Sequence, residues 1–147
     1  MIVMTVKGLL SGREGKIYFV QAGDTVATAA ALLSSNNIGA LPVRDSEGKL
    51  IGILSERDIV RGFGREGERV KSRRTRDLMT KDVATCTRET SIDEVLGIMS
   101  RRHIRHLPVL ENARVIGMVS LRDVMEAMLQ KTELERNVLR DLAIVSR

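Results

Sequence analysis

The chain is poor in aromatic residues. It has no tryptophan, and Tyr18, Phe19 and Phe63 complete the set. Proteins that grip single-stranded nucleic acid stack bases on aromatic side chains, and this sequence has little from which to build such a platform. Cysteine is limited to Cys86. No internal disulfide can form, which fits a reducing compartment and an expected cytoplasmic location. Flanked by Thr85 and Thr87 on a predicted strand, Cys86 reads as a small core residue rather than a nucleophile. No apolar run approaches the roughly 20 residues that a membrane span needs. The start, Met1-Ile2-Val3-Met4-Thr5-Val6-Lys7, lacks the basic and apolar regions of a signal peptide. Also missing are a metal-spaced His/Cys set, a Gly-rich Lys phosphate loop and a Ser-His-Asp arrangement. The expectation is a binding protein, not an enzyme, with no catalytic or metal-ligating residues.

What the chain does have is 147 residues, 43% of them apolar, and a net charge of +5. That length supports one compact domain or two small, mutually dependent halves. The positive excess favours anionic partners without choosing among nucleotide, nucleic acid and acidic protein.

The sequence repeats itself. Thr25-Val26 corresponds to Ser91-Ile92, and Ile38-Gly39-Ala40-Leu41-Pro42-Val43 to Ile104-Arg105-His106-Leu107-Pro108-Val109, both at a shift of 66. After a one-residue deletion, Gly52-Ile53-Leu54-Ser55-Glu56-Arg57-Asp58 falls on Gly117-Met118-Val119-Ser120-Leu121-Arg122-Asp123. The lead-ins are alike as well: Val6-Lys7-Gly8-Leu9-Leu10 resembles Thr75-Arg76-Asp77-Leu78-Met79. Val26, Ala29, Ala30 and Leu33 have the spacing of one helix face, as do Ile92, Val95, Leu96 and Met99. Asp24 and Thr90 are the expected N-caps. Each helix leads into an apolar run, a polar turn and a second apolar run, which read as a hairpin, and a further helix starts at Ser55 and at Ser120.

The predicted fold class is therefore α/β, with two repeats of strand-helix-strand-strand-helix. The predicted division is residues 1–68 for the first repeat with its lead-in and linker, 69–130 for the second repeat, and 131–147 for a helical extension. Gly62-Phe63-Gly64-Arg65-Glu66-Gly67-Glu68 reads as a flexible connector. Beyond it, Met125 to Val145 carries an apolar stripe of imperfect register that suits a partner chain or the module itself.

The pattern Gly-x-x-Ser-x-x-Asp occurs twice. It ends a strand, turns and begins a helix. Gly52 and Gly117 permit close approach. Ser55 and Ser120 could bind an anion beside the N–H groups of a helix start. Asp58 and Asp123 offer acceptors suited to ribose hydroxyls, and Arg57 and Arg122 add positive charge. Ser-x-x-Asp is also close to a capping box. Composition and spacing alone support a repeated structural unit better than a nucleotide site.

The four elements Ile-Gly-Ala-Leu-Pro-Val, Gly-Ile-Leu-Ser-Glu-Arg-Asp, Ile-Arg-His-Leu-Pro-Val and Gly-Met-Val-Ser-Leu-Arg-Asp resemble the signature of paired cystathionine-β-synthase-type (CBS) domains, or Bateman module, over roughly residues 4 to 130. The resemblance implies two repeats packed with pseudo-two-fold symmetry around two clefts. It implies a stand-alone regulatory sensor that binds an adenine nucleotide, with AMP foremost and ATP or NAD(H) as other candidates. It further implies a homodimer and an unidentified regulated partner. By that resemblance Asp58 and Asp123 would hold ribose hydroxyls. Ser55, Ser120, Arg57 and Arg122 would lie near phosphate. Ile17, Val83, Leu41-Pro42 and Leu107-Pro108 would line the adenine slots. The alternative is a nucleic-acid-binding or scaffolding protein that uses the basic run Arg69 to Arg76, a run that also suits solvated surface or a second phosphate contact.

The clefts are expected to differ. Arg105 and His106 stand where the first repeat has Gly39 and Ala40, so the second repeat is expected to hold the tighter mononucleotide site. For His106 the competing reading is a satisfied, partly buried side chain.

Overall fold

The computed structural model describes residues 4–11 and 17–145. Met1 to Val3, on which the signal-peptide reading partly rests, lie outside the described residues, as do 12–16 and the last two positions of the expected extension. The elements run α1 (Val6–Leu10), β1 (Val20–Gln21), α2 (Val26–Asn36), β2 (Ala40–Arg44), β3 (Leu50–Ser55), α3 (Glu56–Glu66), a 3-10 helix (Gly67–Ser72), α4 (Thr75–Leu78), α5 (Ile92–Arg102), β4 (His106–Glu111), β5 (Arg114–Ser120) and α6 (Leu121–Val145).

The first repeat has the predicted order. Its sheet is β1-β2-β3, parallel between β1 and β2 and antiparallel between β2 and β3. The second repeat has the antiparallel pair β4-β5. Its leading strand is reduced to one parallel bridge, Cys86 to Val109, where the first repeat pairs Val20 with Val43. Cys86 is 4% exposed, in the core as expected.

The caps of α2 and α5 fall one residue later than expected. Thr25 accepts from the Thr28 N–H (3.2 Å) and Ser91 from the Glu94 N–H (3.1 Å). Asp24 and Thr90 instead close the preceding turns, accepting from the N–H groups of Gln21 (2.8 Å) and Thr87 (3.0 Å). Both neighbours in each pair carry an acceptor oxygen, and the extended backbone at Thr25 and Ser91 decides which one caps.

The lead-ins are exchanged between the repeats. Helix α1 precedes the first repeat yet packs into the second: Val6 and Leu10 share a core with Ile92, Val95, Val109 and Val124. The N–H groups of Val6 and Lys7 donate to the carbonyls of Thr90 and Arg88, both at 2.9 Å. Helix α4 precedes the second repeat yet closes the first. Thr75 and Arg76 donate to Asp24 (2.8 Å) and Ala22 (3.0 Å), while Leu78 and Met79 pack on the core of Leu33, Leu41 and Leu54. A division that keeps each lead-in with the repeat it precedes therefore separates groups that the packing joins.

The motif glycines serve this exchange. A Cβ at Gly117 would lie 2.7 Å from Leu10 Cδ2, and one at Gly52 would lie 2.5 Å from Met79 Sδ. The space that a side chain would fill at each motif glycine is taken by the lead-in of the other repeat.

The glycine-rich connector is ordered rather than flexible in form. Helix α3 continues through Gly62 and Gly64 to Glu66, and the 3-10 helix follows directly. Gly62 is buried because Val70 and Leu78 press on the helix there, within 2.9 Å of where a Cβ would stand. Helix α6 is likewise continuous from Leu121 to Val145, with no break at residue 130. Its buried residues are Val124 and Ala127. At 100° per residue, Leu134, Val138, Leu142 and Val145 continue that same face within about 80°, and all four are exposed.

Candidate functional site

Each Gly-x-x-Ser-x-x-Asp segment forms a corner from strand to helix. Ser55 caps α3: its Oγ accepts from the Asp58 N–H (3.3 Å), while Asp58 Oδ2 accepts from the Ser55 N–H (2.9 Å) and hydroxyl (3.1 Å). Ser120 and Asp123 repeat the arrangement at the start of α6, with bonds of 3.1 and 3.0 Å. The capping reading is thus realised twice. The bonds Asp58 accepts from Ser55 fall on Oδ2, so Oδ1 stands outside the capping box.

Both corners open on clefts between the repeats, and the clefts are crossed. The corner of Ser55, Arg57 and Asp58 faces Val83 and Ala84 of the second repeat across a cavity of about 390 Å³. The corner of Ser120, Arg122 and Asp123 faces Ile17 and Tyr18 of the first repeat across a cavity of about 830 Å³. Both volumes suit a small-molecule site. Pro42 lines the second cleft. Leu41 and Leu107 are fully buried in the two cores, and neither they nor Pro108 line a cleft. Pro108 instead uses its carbonyl to accept from the Cys86 N–H at 3.0 Å.

Arg105 and His106 do not belong to the second cleft alone. Together with Gly39, Ala40 and Glu56 they line both cavities and form the wall between them. A Cβ at Gly39 would lie 2.7 Å from Glu56 Oε1 and 2.9 Å from His106 Cε1. Glycine is thus the residue that lets the imidazole and the carboxylate close the wall. The expectation that Arg105 and His106 enrich one cleft in charge fails on this geometry, because both clefts share them. Burial pushes the His106 pKa down. Glu56 and Asp123 pull it up, and Arg105 pushes it down further. The net direction is below the ordinary imidazole value, which favours the uncharged form of this partly buried side chain.

Arg57 donates to the His103 carbonyl of the other repeat (3.2 Å), and Arg122 pairs with Glu126 on its own helix (3.2 Å). Among the lining residues that the sequence reading missed are Glu56, Arg61 and Glu126 in the first turns of α3 and α6, and Tyr18 beside Ile17. Arg61 and Glu126 follow the motif Asp by three residues, which places them on the same helix face, and that spacing was the available signal.

The basic run is tied into the fold. Arg73 pairs with Glu66 (3.1 Å), Lys71 with Glu68 (3.8 Å), and Arg74 donates to the Gly23 carbonyl (3.0 Å). Val70 and Thr75, within the run, are buried.

Among known proteins, the CBS domain family model matches residues 14–65 and 76–130. A 17.7 kDa protein of Acidianus ambivalens is 37% identical over 115 residues, 78% of this chain and 68% of that protein. The crystal structure of a CBS-domain containing protein from Agrobacterium tumefaciens superposes with a TM-score of 0.82 at 32% identity, over 86% of this chain and 95% of that one. The CBS domain pair of protein MJ0100, in complex with 5′-methylthioadenosine and S-adenosyl-L-methionine, superposes with a TM-score of 0.76 at 27% identity, over 88% of this chain and 99% of that one. The two repeats that build the clefts are the units that the family model matches, and the chain belongs to the CBS-domain family as a tandem pair.

Proposed function

We propose that the protein is a regulatory module that binds an adenine nucleotide, AMP, ATP or NAD(H), in the clefts between its repeats. The observation that carries this reading is the doubled, crossed corner. On each side a Ser-Asp pair at a helix start faces, across a cavity, the chain segment that leads into the other repeat. The helix start favours an anion, the carboxylate accepts from a ribose diol, and the facing segment at Val83 or Ile17 offers backbone groups to an adenine edge. The adenosine-derived ligands in the MJ0100 pair support adenosine as the common core. The corners supply binding groups without an organised nucleophile and base, so ligand is expected to bind and leave unchanged.

A cytoplasmic location and a regulated partner protein belong to the same reading, as does a homodimer. The exposed α6 face that continues Val124 and Ala127 suits a second copy of the chain. Light scattering should give twice the chain mass at micromolar concentration, and the monomer mass would count against the dimer.

A thermal-shift panel of AMP, ADP, ATP, NAD⁺, NADH and S-adenosylmethionine tests the nucleotide reading. Ligand at about 100 times its Kd should add roughly 2.7 kcal/mol of stability. Calorimetry on Asp58→Asn and Asp123→Asn then tests the ribose role. Asparagine keeps an acceptor for the cap but loses the charge-assisted bonds to a diol, and affinity at the altered cleft should fall about tenfold. No shift with any of the six, or unchanged affinity in both variants, would overturn the reading.

A further inference from the structure

We infer that the two clefts divide ligands by charge. The cleft on the Ser55-Asp58 corner takes a phosphate-bearing adenine nucleotide, and the cleft on the Ser120-Asp123 corner takes an uncharged adenosine. This rests on the nucleotide reading above and assigns a ligand class to each side of it.

The repeats match position for position, so their differences can be read directly. Three residues after the motif Asp, the first cleft has Arg61 and the second has Glu126. The same place on the same helix face thus carries opposite charge. Arg57 in the first cleft is held by a neutral carbonyl, so its charge is not cancelled there. Its counterpart Arg122 is paired with Glu126. Arg102 also lines the first cleft, but Asp82 offsets it at 2.9 Å. The shared wall contributes Arg105 and Glu56 to both sides and so discriminates neither. Among the described residues, the first cleft therefore keeps Arg57 and Arg61 for an anion, whereas in the second Glu126 engages Arg122.

The adenine end differs too. Tyr18 lines the second cleft where Ala84 lines the first. A half-exposed aromatic face favours stacking on a purine. The second cleft thus offers stacking and a diol acceptor but no unengaged motif arginine for a phosphate. A phosphate there would find the motif arginine already engaged by Glu126, whereas in the first cleft it would meet two guanidinium groups able to bind it through charge-assisted bonds.

The chain itself provides the reporter. Tyr18 is its sole tyrosine and there is no tryptophan, so intrinsic emission comes from the second cleft. Adenosine should quench it. AMP at concentrations that saturate its calorimetric site should not. Arg61 and Glu126 are exposed on helix surfaces, so charge reversal should leave the fold intact. Arg61→Glu should weaken AMP about tenfold or more while adenosine changes by less than about twofold. Glu126→Arg should give AMP a second site that quenches Tyr18. AMP quenching of the native protein in step with its calorimetric isotherm would overturn the assignment and leave the nucleotide reading standing. So would an Arg61→Glu variant with unchanged AMP affinity. Binding of neither AMP nor adenosine would overturn both.

Discussion

Leu10→Ala is expected to weaken the second repeat, although Leu10 precedes the first repeat in the chain. Leu10 is 2% exposed, and its Cδ2 fills the space beside Gly117. Truncating a buried leucine in a core that relaxes incompletely costs about 3 kcal/mol. With m near 2 kcal/mol/M for a domain of this size, the urea midpoint should fall by roughly 1.5 M. Hydrogen exchange by mass spectrometry should place the lost protection between Ile92 and Val124 rather than between Val26 and Leu54. The second half of the prediction is a double-mutant cycle. Gly117→Ala alone puts a methyl 2.7 Å from Leu10 Cδ2 and must overpack the contact, at a cost of about 1 to 3 kcal/mol. In the Leu10→Ala background the new methyl enters vacated space. The two changes should then cost at least ~1 kcal/mol less together than the sum of the singles. Additive costs, or protection lost from the first repeat, would refute the exchange of lead-ins.

Three further outcomes follow from local geometry. The β4-β5 turn places Asn112 at φ 50° and Ala113 at φ 64°, so Ala113→Gly should relieve left-handed strain, with a net gain of roughly 0.5 kcal/mol after the entropy glycine adds to the unfolded chain; a lower urea midpoint would be the wrong sign. Burial, reinforced by Glu94, pushes the Cys86 thiol up to about 11, so iodoacetamide at pH 8 should label it only in denaturant, and rapid native labelling would contradict the core placement. His106 is held below its ordinary 6.5 by burial, so the unfolded chain takes up that proton first: stability is full above the unfolded pKa and declines as pH falls below it. The urea midpoint should drop between pH 7 and pH 5, and less steeply in His106→Gln; equal slopes would remove His106 as the cause.

Much of the fold was legible because the chain states its unit twice. The Leu-Pro-Val runs, the polar turns and the Ser-x-x-Asp corners recur with their spacing, and local chemistry suffices to place them. What escaped the sequence depends on contacts between the units. Val6 to Leu10 and Thr75 to Met79 are so alike that neither composition nor periodicity says which repeat each will complete. The glycines at 62 and 64 look like a hinge until Val70 and Leu78 are seen to press on one of them. Arg105 and His106 belong to one repeat, yet the wall they form faces both clefts. Residue identities suggested the site, and its charge asymmetry emerged only when Arg61 and Glu126 were placed on its rim.

The exchanged lead-ins bear on how the chain can fold as it leaves the ribosome. Synthesis delivers residues from the N-terminus at about 5 to 20 per second. When Glu66 emerges, the first repeat has every element of its own sheet, yet the residues that cover it, Thr75 to Met79, are still inside the exit tunnel. Meanwhile Val6 and Leu10 emerge ahead of both repeats and must wait for Ile92, Val109 and Val124. The first core cannot close until Met79 has emerged, and the second not until Val124 has. For that interval the nascent chain presents an apolar helix and an open sheet together, exposed surfaces of the kind that make partly folded chains prone to aggregation.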